Sequence, residues 1–103
     1  MNTLTISNKG IPELIKEHMA LFDSFDHVYL FGSALNLSDS YNDIDILTIY
    51  TGYSIEIGND LRLISEELGK ASGFFIDLTA LSIEEEREIA FLEKIKPHYL
   101  KLK

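Results

Sequence analysis

The order of elements in this sequence predicts an α/β (α+β) fold, a small mixed β-sheet backed by helices. Short runs rich in β-branched and aromatic residues alternate with longer stretches whose apolar residues recur at helical spacing. The 103 residues, 46 % apolar and 25 % charged, read as one globular domain spanning 1–103, with no internal repeat, low-complexity tract or linker.

Each element has its own signal. Pro12 sits where a first-turn proline is tolerated, and Leu14, Ile15, Leu21, Phe22 and Phe25 approximate one apolar stripe. A first helix is therefore expected from about Ile11 to Phe22. His27 to Phe31 reads as a short strand, and Ser33 to Leu37 is compatible with one helical turn. Asp43 to Tyr50 is a longer strand of Ile, Thr and Tyr character, left through Thr51-Gly52. Ile57, Leu61, Ile64 and Leu68 mark a second helix, with Gly69 as its stop. Phe74 to Ala80 reads as a strand. Ser82-Ile83-Glu84-Glu85 is a capping box that opens a last helix, which is expected to end before Pro97. His98 to Leu102 is compatible with a short closing strand.

Charge narrows the function classes. The net charge is −8, and Lys and Arg are absent from Glu17 through Leu61. Nucleic-acid binders draw most of their affinity from a basic face, so no direct nucleic-acid partner is expected. No apolar run approaches the roughly 20 residues of a spanning helix. Met1 to Gly10 lacks a signal-peptide core, and the chain has no cysteine, so a cytoplasmic, non-membrane protein is expected.

The chemistry concentrates between Val28 and Tyr50. Asp43 and Asp45 stand at i and i+2 in a strand, which places both carboxylates on one face, about 6–7 Å apart along the chain. Two acids there repel each other and are costly to desolvate. A divalent cation removes both problems, and hard oxygen donors suit Mg²⁺ bound together with substrate phosphates. Asp77 is the single acid in the apolar run Phe74 to Leu81. Outward-facing acids on half-exposed strands are the bland alternative for Asp45 and Asp77. For Gly32-Ser33 it is a plain turn.

Gly32-Ser33, nine residues at 34–42, then Asp43-Ile44-Asp45 resemble the signature of the polymerase-β-type nucleotidyltransferases, and Asp77 matches the third carboxylate of that pattern. The resemblance covers almost the whole chain and is closest to the minimal nucleotidyltransferases (MNT domains) paired with HEPN-type toxins. It implies a palm-like mixed sheet with helices mainly on one face and the acids on the other, open side. It also implies two Mg²⁺ ions held by Asp43, Asp45 and Asp77, with ATP as substrate and Gly32 and Ser33 against its phosphates. The implied reaction moves AMP onto a hydroxyl, a tyrosine of a partner HEPN toxin, and releases pyrophosphate in an antitoxin role. The chain's shortness suggests that the acceptor arrives on a partner protein or is held at a homo-oligomer interface.

The sequence departs from the pattern in one respect. The minimal enzymes commonly continue Gly-Ser-x-Ala-Arg-Gly, whereas here Ala34-Leu35-Asn36-Leu37 supplies neither arginine nor a second glycine. Triphosphate binding would then rest on metals and backbone amides, with Arg62 or Lys70 as helpers. Two rival readings stay open: a non-catalytic antitoxin that acts by contact, and a nucleotidyltransferase for a small hydroxylated molecule such as an antibiotic.

Overall fold

The computed structural model describes residues 2–32 and 43–103, with side chains from residue 10 onward. Helix α1 (Asn2–Glu17) is broken at Gly10, whose φ of 78° and ψ of 168° lie outside the helical region. A 3-10 turn, Met19–Phe22, leads into strand β1 (His27–Phe31). Then follow β2 (Asp43–Tyr50), α2 (Ile55–Ser72), β3 (Phe75–Ser82), α3 (Ile83–Ile89), α4 (Phe91–Ile95) and β4 (Tyr99–Lys101).

The four strands form one mixed sheet in the order β3-β2-β1-β4. β1 runs antiparallel to both neighbours, while β2 and β3 are parallel, with α2 as the crossover a parallel pair requires. The register aligns Phe31 with Asp45 and Asp45 with Asp77.

Strand alternation sorts the side chains onto two faces. Val28, Leu30, Ile44, Ile46 and Ile76 point to one face, where Ile57, Ile64 and Leu68 of α2 and Ile15, Phe22 and Phe25 of the N-terminal segment close the main core. Tyr29, Leu47 and Ile49 point to the other, where Ile83, Phe91 and Leu92 cover them. Among the described residues, α3 and α4 thus cover this second face over Tyr29, Leu47 and Ile49 and not over the start of β2 and β3. Buried Thr48 is accommodated because its hydroxyl donates to the Thr79 carbonyl at 3.4 Å.

Several boundaries differ from the sequence expectation: β3 runs Phe75–Ser82 rather than Phe74 to Ala80, and β4 is the shorter Tyr99–Lys101. Backbone before Gly10 is helical from Asn2, although β-branched Thr3, Thr5 and Ile6 do not favour it. The first helix ends at Glu17, and the stripe residues Leu21 and Phe22 sit on the 3-10 turn instead. α2 runs past Gly69 to a left-handed cap at Gly73, whose N–H donates to the Gly69 carbonyl at 2.8 Å. The last helix breaks at Ala90 (φ 51°), where the Glu86 carboxylate accepts from the Leu92 N–H at 3.1 Å. That break turns Phe91 and Leu92 onto the sheet. The capping box is present as expected: Glu85 N–H donates to Ser82 Oγ at 3.0 Å, and Ser82 N–H to Glu85 Oε1 at 2.8 Å. The expected turn from Ser33 to Leu37 lies outside the described residues. Among the described residues no helix is long and apolar enough to cross a membrane.

Ile46 is fully buried between α2 and the sheet. Ile46→Ala is expected to cost about 2–5 kcal/mol, read as a lower urea midpoint at unchanged slope.

Candidate metal centre

Asp43 opens β2, Asp45 follows two residues on, and Asp77 lies on β3 directly beside Asp45 in the register. All three share the sheet face of Leu47 and Ile49, at the end where β2 and β3 begin. Each acid offers one oxygen such that the three atoms lie within 4.8 Å of one another. Asp43 and Asp45 are partly buried and Asp77 is exposed. The i, i+2 spacing provides the first pair, and the parallel pairing of β2 with β3 provides the third.

The electrostatics of the cluster are unfavourable on its own. Burial, then the Asp43 and Asp77 charges, push the Asp45 carboxyl from 3.8 up to about 6. Asp77 adds a side-chain hydrogen bond in the same direction, because protonated Asp45 can donate to it. Lys70 and Lys96 pair with Glu67 and Glu93, and the charges that act on the Asp45 carboxyl are acidic ones. Three hard, clustered oxygen donors fit a divalent cation such as Mg²⁺.

Gly32 ends β1 beside this cluster with φ 79°. A Cβ at this position would collide with the Asp45 Oδ2 and lie 3.1 Å from its Cγ. The left-handed backbone favours glycine here, and its missing Cβ leaves the Asp45 carboxylate its present place, in addition to any approach of phosphates. This contact was not readable from the sequence, where Gly32 is a turn residue or one placed against phosphates by resemblance.

The structure therefore brings together Asp43, Asp45, Asp77 and Gly32. Arg62 is exposed on α2, the helix over the opposite sheet face, and donates to Asn59 Oδ1 at 3.3 Å. It is not gathered with the acids, because the apolar stripe that docks α2 fixes which face the helix covers. Lys70 is on the same helix, 3.8 Å from Glu67. Ser33 lies outside the described residues.

No protein-family model matches the chain, and no curated protein does. Among solved structures, a protein of Sulfolobus solfataricus proposed to be a nucleotidyltransferase is similar over 95 % of this chain and 77 % of that one. The two share 18 % identity, with a TM-score of 0.48. The reading of the site rests on its own geometry.

Two outcomes follow. Between pH 3.8 and about 6 the folded chain keeps a proton on Asp45 that the unfolded chain has released, so this group's contribution to stability falls as pH rises through that window. Urea midpoints measured across the window should fall more steeply for the parent than for Asp45→Asn, and Mg²⁺ should restore the parent above it. Gly32→Ala, which displaces the Asp45 carboxylate, should weaken divalent-cation binding about 10–100-fold by calorimetry.

Proposed function

We propose that this chain is a cytoplasmic, Mg²⁺-dependent nucleotidyltransferase that transfers AMP from ATP to a hydroxyl acceptor. The observation that carries the proposal is the convergence of Asp43, Asp45 and Asp77 at one end of the sheet. The Gly32-Ser33 to Asp43-Ile44-Asp45 spacing supports the same reading, through its resemblance to polymerase-β-type nucleotidyltransferases.

Asp43 and Asp45 would hold the metal against the triphosphate, and Asp77 would complete the ligand set. Bound Mg²⁺ supplies neutralisation of the triphosphate and of the leaving pyrophosphate, and it acidifies the acceptor hydroxyl. The hydroxyl oxygen forms a bond to the α-phosphorus as the bond to the bridging oxygen breaks. Pyrophosphate leaves with that electron pair, and the hydroxyl proton passes to Asp77, the exposed acid. Gly32 keeps Asp45 in place and leaves its own backbone free to approach a phosphate oxygen.

The proposed acceptor is a tyrosine hydroxyl on a partner protein of the HEPN-toxin type, which modification would silence. The likeness to minimal nucleotidyltransferases supports this acceptor. The absence of arginine from Ala34-Leu35-Asn36-Leu37 favours a second reading, an antitoxin acting by contact.

Calorimetric titration of ATP, with and without Mg²⁺, tests the proposal. Binding should require the metal and be lost in Asp43→Asn/Asp45→Asn. The folded chain failing to bind ATP with Mg²⁺ would reject the enzyme and leave the contact reading. In co-expression with the partner, Asp77→Ala should abolish neutralisation if AMP transfer causes it and leave it intact if contact does.

A further inference from the structure

Phe75 is the first residue of β3 and aligns with Asp43 across the parallel β2–β3 pair. Paired positions, and positions two apart along a strand, share a sheet face. The Phe75 side chain therefore stands on the same face as Asp43 and Asp77, one step from each. It is 70 % exposed, whereas its neighbour Ile76 is buried on the other face. The aromatic residue on the opposite flank of the acids is different. Phe31, aligned with Asp45, is packed edge-to-face on Phe91 at 5.5 Å and belongs to the second core. Among the described residues, neither core cluster includes Phe75.

β3 is also the sheet's outer strand, so the ring stands at an open edge beside the candidate metal centre. A phenyl group has no favourable contact to offer a phosphate, but it presents a flat face to another planar ring. The charge pattern makes such a contact useful. With no Lys or Arg from Glu17 through Leu61, the metal and backbone amides are left to hold the phosphates, and a ring contact would add affinity that needs no charge.

We propose that Phe75 is a substrate-binding residue of this site, stacking a planar ring of a substrate whose reacting phosphate lies over Asp43, Asp45 and Asp77. The inference rests on the nucleotidyltransferase reading. Two substrates carry such a ring, the nucleobase of the nucleoside triphosphate and the phenol of an aromatic hydroxyl acceptor, and the test separates them.

Calorimetry compares Mg²⁺–ATP with Mg²⁺–tripolyphosphate on the parent and on Phe75→Ala, whose fold is checked by circular dichroism. A stacked nucleobase predicts about tenfold weaker ATP binding in the variant and unchanged tripolyphosphate binding. The chain contains no tryptophan, so Phe75→Trp introduces a single indole reporter. A stacked acceptor predicts unchanged ATP binding in Phe75→Ala, and quenching of that indole by p-cresol only when Mg²⁺–ATP is bound. Unchanged ATP affinity together with no p-cresol response overturns the inference, making Phe75 a surface residue, while the nucleotidyltransferase reading stands. If neither ATP nor tripolyphosphate binds the parent with Mg²⁺, that reading fails and the role of Phe75 fails with it.

Discussion

Mutual repulsion among three carboxylates is the constraint around which this chain is built. Asp43, Asp45 and Asp77 are held close because β2 and β3 run parallel in one register, and α2, the crossover between them, is locked by Ile57, Ile64 and Leu68. Slipping that register by one residue would turn Asp77 onto the α2 side and bring an apolar side chain to the site. The main core thus determines where the acids meet, and burial there, with Asp43 and Asp77 alongside, raises the proton affinity of Asp45. Its carboxyl is pushed up to about 6, by burial first and by the neighbouring acids second.

The same geometry divides labour between the two sheet faces. One face is wholly given to packing, with the N-terminal segment and α2 across it. The other is split: Tyr29, Leu47 and Ile49 are sealed beneath α3 and α4, and the acids occupy the end where β2 and β3 begin. The break at Ala90 is what allows this. On an unbroken helix Leu92 would point away from the face of Ile83, whereas with the break Ile83, Phe91 and Leu92 all pack on the second core.

Much of this was legible in the residues, and the unread parts share a cause. β1 and β2 were readable to the residue because alternation and strand composition are local signals. The Asp43–Asp45 pair was readable because i, i+2 spacing fixes a shared face. Local pattern does not say which strands become neighbours, so the alignment of Asp77 with Asp45 emerged only with the sheet. The close approach of Asp45 to Gly32, the aspect of Phe75 and the position of Arg62 on the far side are likewise products of tertiary contact. α2 ends at Gly73 rather than Gly69 because a glycine inside a packed helix costs only about 1 kcal/mol, less than docking of the helix restores.

Titration of Mn²⁺ at neutral pH, followed by loss of the free-ion electron paramagnetic resonance signal, probes the three acids most directly. A centre made by Asp43, Asp45 and Asp77 removes the signal in step with added protein, and Asp45→Asn largely abolishes that removal. Identical curves for the two proteins would show that the cluster holds no metal, contradicting the role assigned to it.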